Sequence, residues 1–129
     1  MTPQEIYNRA LFGIRAQHYQ MSMVDGVGHC KYRGTHGLKC GVGHCIDDDG
    51  LARAMDAHAQ THILSLLRVP EFKSHLNDVF GQIDSKKEQL LADLQWAHDQ
   101  RLKESPDSFE RAMFDLAETY SLQYTKGLR

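Results

Sequence analysis

The stretch His29–Asp49, HCKYRGTHGLKCGVGHCIDDD, decides how this 129-residue chain is read. It holds all three cysteines, Cys30, Cys40 and Cys45, and three of the eight histidines, His29, His36 and His44. The sequence on either side reads as amphipathic helix with ordinary surface charge, so chemistry particular to this protein is expected here or facing here. Two short alternating runs, Cys30-Lys31-Tyr32-Arg33 and Leu38-Lys39-Cys40, flank the glycine-bracketed Gly34-Thr35-His36-Gly37. Alternation every second residue across a glycine turn predicts a β-hairpin near residues 30–41, with Cys30, Tyr32, Leu38 and Cys40 on one face. Gly41-Val42-Gly43 then turns the backbone into His44-Cys45-Ile46. Asp47, Asp48 and Asp49 read as a turn and a helix N-cap, because their spacing is too tight for a calcium loop, which alternates its oxygen ligands.

Upstream, Thr2-Pro3-Gln4-Glu5 is a capping box with proline in the first turn. Ile6, Ala10, Ile14, His18 and Met21 recur at helical spacing, so the first helix is expected to run to about Tyr19 with His18 on its buried stripe. Downstream the pattern stays helical. An alanine-rich segment covers Leu51 to Ala59, and Ile63, Leu64, Leu66 and Leu67 form an apolar patch that Pro70 breaks. Phe72, Leu76, Val79 and Phe80 follow with helical spacing. Ser85-x-x-Glu88 reads as a second capping box, opening a helix whose Leu90, Leu91, Leu94, Ala97, His98 and Leu102 form a buried stripe. Ser105-Pro106 opens the last helix, with Phe109, Ala112, Met113, Leu116, Ala117 and Tyr120 facing inward. The expected fold is mainly α (α+β): a single-domain helical bundle over residues 1–129 carrying one small β-hairpin.

Composition narrows the functional classes. Apolar residues make up 41% and charged residues 25%, close to the globular average, which argues against disorder. A formal charge of −2 without a long Lys/Arg run lacks the footprint of a protein that grips many phosphates. No apolar run approaches the ~20 residues a bilayer crossing needs, and MTPQEIYNRA has no basic-then-apolar signal pattern, so a cytoplasmic location is expected. An odd cysteine count without a signal peptide points to free thiols or metal ligation rather than a disulfide framework.

The run CKYRGTHGLKCGVGHCIDD and the C-terminal LLADLQWAHDQRLKESPDSFERAMFDLAETYSL resemble a family of small uncharacterised proteins encoded by bacteriophages and bacteria. The matching positions are Cys30, Tyr32, Arg33, Gly37, Leu38, Lys39, Cys40, Val42, Gly43, Ile46, His98 and Asp99. Gly41 stands where that family has alanine and Cys45 where it has an apolar residue, which makes Cys45 the weakest of the three thiols as a family-wide functional group. The resemblance covers both ends of the chain, matches poorly from Leu51 to Ile83, and implies a mobile-element origin without an activity.

Three functional readings follow. In the first, the chain is a phage or mobile-element accessory protein that binds, and inhibits or redirects, a host or phage protein through Tyr32, Arg33 and Lys39. Tyr and Arg dominate interface energetics when buried against a partner. The bland alternative packs Tyr32 on the helices and pairs Arg33 with an aspartate after Ile46. In the second, Cys30, Cys40 and His44 bind zinc, with His18, His29, His36 or Cys45 as fourth ligand. Thiolate and imidazole suit zinc, but no Cys-x-x-Cys occurs and the spacing fits no established zinc module, so buried inert thiols are favoured over the ion. In the third, Cys40 is the nucleophile of a thiol enzyme with His98 as its base. Against it, Asp99 diverges from His98 by about 100° on a helix, too far to orient the imidazole easily. The chain is therefore read as a binding protein rather than an enzyme.

Overall fold

A computed structural model describes residues 1–23 and 30–126; His29 lies outside the described residues. Six α-helices are formed among them: α1 (Pro3–Ala16), α2 (Asp49–Ala57), α3 (Ile63–Leu66), α4 (Pro70–Phe80), α5 (Ser85–Trp96) and α6 (Pro106–Thr119). A π-helical turn, Ala97–Leu102, continues α5 towards α6. None of these helices is long and apolar enough to cross a membrane.

Local chemistry explains where the helices begin. Thr2 and Glu5 form the capping box of α1: the Thr2 hydroxyl accepts from the Glu5 N–H at 3.2 Å, and the Glu5 carboxylate accepts from the Thr2 N–H at 3.0 Å. Asp48 caps α2 and Ser105 caps α6 through the side chain alone, accepting from the Leu51 and Ser108 N–H groups. The start of α5 differs from expectation: Asp84, one residue earlier than Ser85, accepts from the Lys87 N–H at 2.8 Å. Aspartate caps as well as serine does, and its charge also faces the positive end of the helix dipole.

The end of α1 differs more. The helix stops at Ala16, and His18 and Tyr19 take φ of 56° and 61°, with the Tyr19 N–H reaching back to Ile14 O at 3.0 Å. This left-handed exit turns His18 off the buried stripe and leaves it exposed, outside the one group of metal-type donors found among the described residues.

No β-hairpin forms at residues 30–41. Among the described residues the sole β-type pairing is an isolated antiparallel bridge between Met23 and Cys30. The N–H groups that a ladder between 30–33 and 38–40 would use are bound elsewhere. Lys31 N–H donates to Ser22 O at 2.7 Å, Tyr32 and Arg33 N–H donate to the Asp56 carboxylate at 2.8 and 3.0 Å, and Lys39 N–H donates to Gln17 Oε1 at 3.1 Å. One bond, Gly34 N–H to Leu38 O at 2.8 Å, closes a turn around the short 3₁₀ segment Thr35–Gly37. A second 3₁₀ segment, Val42–Cys45, packs against α1 and α5.

The loop from Cys30 to Ile46 is thus part of the core rather than an appendage. Tyr32, Cys40, Val42, Cys45 and Ile46 are buried with Ile6, Leu11 and Ile14 of α1 and Leu91 and Leu94 of α5. Such close approach needs missing side chains: a Cβ on Gly43 would lie 2.5 Å from Tyr32 O, and one on Gly13 would lie 2.3 Å from the His44 ring.

Candidate functional site

The π-helical turn builds the site. Its hydrogen bonds span five residues rather than four, a local widening that recurs at functional positions. It carries His98, fully buried, and Asp99, whose side chain is partly exposed. His98 Nδ1 lies 3.0 Å from Asp99 Oδ1, so the expectation that neighbours on a helix diverge too far to pair is overturned. Nδ1 is the ring nitrogen nearer the backbone, and a short carboxylate on the next residue reaches it from the widened turn. The other nitrogen, Nε2, is buried without a hydrogen-bond partner among the described residues. A buried polar atom left alone costs about 1–3 kcal/mol, so its persistence calls for a reason.

Cys30 completes the group. One donor atom from each of Cys30, His98 and Asp99 lies within 4.8 Å of the other two. Cys30 is half-buried; its burial, then the neighbouring Asp99 carboxylate, pushes the thiol up to about 12, against the opposing pull of Lys103. Cys30 and Asp99 open onto a cavity of about 190 Å³ also lined by Lys31, Tyr32, Cys40, Thr61, His62 and Gln95. One wall is a hydrogen-bonded chain. The Tyr32 hydroxyl donates to Thr61 O at 2.6 Å and accepts from Gln95 Nε2 at 3.0 Å, while Gln95 Oε1 accepts from the Ile63 N–H at 2.8 Å.

The other sequence candidates fall into place around this group. Cys40 lines the same cavity, but it is buried and its Sγ accepts from the Gly43 N–H at 3.3 Å; it is not one of the three clustered donors. Burial raises its thiol strongly, which argues against the nucleophile role given to it. His44 is not in the cluster either. Its Nε2 lies 2.9 Å from Gln17 Oε1, an atom that can only accept, so Nε2 carries the proton of this contact. Burial first, then the charges of Lys39 and Arg33, hold His44 down to about 4. Cys45 is a core thiol pushed up to about 12 by burial, 3.5 Å from Ile6 O. His36 is exposed at φ 60° in the Thr35–Gly37 turn.

Tyr32 and Arg33 have little surface to offer a partner. Tyr32 is 2% exposed. The Arg33 side chain is 9% exposed and ties the loop together: Nη1 donates to Gly43 O at 2.9 Å and Tyr32 O at 3.2 Å, Nη2 donates to Ile46 O, and Nε donates to Asp49 Oδ1 at 2.7 Å. Lys39, the third residue of that set, is half-buried. The side chains that sequence reasoning passed over are Asp56, which takes two loop N–H groups, and Gln95, which orders Tyr32 and α3. Neither sits in a recognisable motif. The His98-Asp99 dipeptide was visible, but its link to Cys30 was not. No family model, curated protein or solved structure matches the chain, so its function is argued from the geometry of this group.

Proposed function

We propose that the chain binds one transition-metal ion, zinc by the chemistry of its donors, through Cys30, His98 and Asp99. The observation that carries this reading is the meeting of a thiol, an imidazole and a carboxylate within 4.8 Å, at a fully buried histidine. All three are zinc ligands. Binding the ion releases the Cys30 proton and gives the resulting thiolate and the Asp99 carboxylate a shared cation. Ligands of one tetrahedral zinc stand roughly 3.3–3.7 Å apart, so the group has about 1 Å to close. The half-buried Cys30 and the partly exposed Asp99 supply that movement. Of the ligand set read from the sequence only Cys30 is kept; Cys40 and His44 have other partners.

Elemental analysis of the purified chain and competition with a chromophoric chelator test the reading. About one zinc per chain is expected. Cys30→Ala and Asp99→Asn should each weaken binding by about 100-fold or more, because each changes an atom bound to the ion itself and even groups that only orient such atoms cost about 10–100-fold, with the circular dichroism unchanged. Cys40→Ala should leave the affinity as it is. Absence of bound zinc, or full affinity in both ligand variants, overturns the proposal.

The 3.0 Å contact between His98 and Asp99 favours a second reading of the same residues, with Cys30 as nucleophile, His98 as base and Asp99 as its orienting group. Alkylation separates the two. A metal-bound Cys30 is protected until a chelator is added, whereas an activated nucleophile reacts faster than a free thiol at neutral pH with or without the chelator.

A further inference from the structure

We infer that the fourth coordination position of this metal faces the cavity and exchanges its water for a small anion, a carboxylate or similar oxyanion. The inference rests on the metal reading of Cys30, His98 and Asp99. Zinc held by three protein ligands keeps a fourth position for water or substrate, whereas a structural site fills all four from the protein. Among the described residues no fourth donor joins the group. Of the other polar side chains of the cavity, Cys40 Sγ accepts from the Gly43 N–H, His62 Nδ1 accepts from the Leu64 N–H at 3.2 Å, and the Tyr32 hydroxyl sits between Thr61 O and Gln95 Nε2.

Access is one-sided. His98 is fully enclosed, while Cys30 and Asp99 line the cavity, so the open position points there. At about 190 Å³ the space is over ten times the ~10–15 Å³ that one water requires, enough for a ligand of several atoms. Charge selects its sign. A divalent ion is balanced by the Cys30 thiolate and the Asp99 carboxylate, and Lys31 on the cavity wall with Lys103 close to Cys30 outnumber the one further anion there, the Asp56 carboxylate that acts on Cys40 and Tyr32. The loaded site therefore carries a net positive charge inside a walled pocket, where field lines are focused and an anion is drawn in.

Cobalt substitution reads the position directly. The Co²⁺-loaded chain is titrated with azide and with acetate while the visible d–d bands and the thiolate-to-cobalt charge-transfer band are followed. Saturable shifts of the d–d bands with both anions are expected, the charge-transfer band of one thiolate persisting. Lys31→Gln should weaken azide and acetate about three- to tenfold, the size of one unit charge about 4 Å away in a water-like dielectric, while leaving cobalt stoichiometry and the affinity for neutral imidazole unchanged. A cobalt-loaded chain whose spectrum ignores both anions has a closed site and overturns the inference while the metal reading stands. A charge-transfer band that falls in Cys40→Ala, showing a second thiolate ligand, overturns it in the same way. A chain that takes up neither zinc nor cobalt overturns the metal reading and this inference together.

Discussion

Replacing Arg33 with alanine should destabilise the chain by about 3 kcal/mol, although Arg33 touches no part of the metal group. Its guanidinium is nearly enclosed and makes four kinds of contact of unequal weight. Asp49 is 65% exposed on its side chain, so this ion pair contributes little. Tyr32 O, on the adjacent residue at 3.2 Å, is a weak acceptor, and Gly43 O keeps the Ile46 N–H at 3.2 Å when the arginine is lost. Ile46 O and Gly43 O remain as the principal acceptors of a charged donor, each worth about 1.5–3 kcal/mol in partly buried surroundings, less what entering water restores. The sum is about 3 kcal/mol, or roughly 10 °C in melting temperature for a domain of this size. Urea unfolding measures it. Arg33→Lys should recover less than half, because an ammonium cannot span the fork of acceptors, and Asp49→Asn should superimpose on the parent curve. An Arg33→Ala chain within about 1 kcal/mol of the parent, or an Asp49→Asn chain as unstable as Arg33→Ala, refutes the argument that the carbonyls rather than the ion pair make this residue structural.

Two glycines in the same loop should respond oppositely. Gly43→Ala drives a Cβ to 2.5 Å from Tyr32 O and should cost about 3 kcal/mol, whereas Gly41→Ala, helical at φ −53° with its nearest neighbour at 3.5 Å, should be neutral or stabilise by about 0.5 kcal/mol; equal melting temperatures for the two variants would refute the packing described. The pH dependence of stability should carry the signature of His44. Its folded value of about 4 lies below the ordinary 6.5, so the unfolded chain takes up the proton first: the contribution is complete above pH 6.5 and disappears as pH falls towards 4. Discounted for its partial exposure, this is about 2 kcal/mol, measured as the difference in urea unfolding between the parent and His44→Gln at pH 7 and near pH 4. A difference that does not change with pH would contradict a neutral His44 paired with Gln17.

Helix positions were legible in this sequence because their causes are local. Thr2-Pro3-Gln4-Glu5, Asp48 and Ser105-Pro106 bind N–H groups within three residues, and the apolar stripes of α5 and α6 follow from helical spacing alone. The central loop was not legible, because its local signals competed with distant partners. The alternation of Cys30 to Arg33 suits a hairpin, yet Asp56, Ser22 and Gln17 take the N–H groups that a ladder would use. The site depends on the same kind of long-range choice. Cys30 meets His98 and Asp99 only because the chain folds the loop against the α5 end, and Asp99 reaches the imidazole because that end widens into a π turn. Spacing along the chain records hydrogen bonds and stripes within a few residues; which distant donor wins each buried polar group is settled by packing, where every N–H and every imidazole nitrogen competes for partners at once.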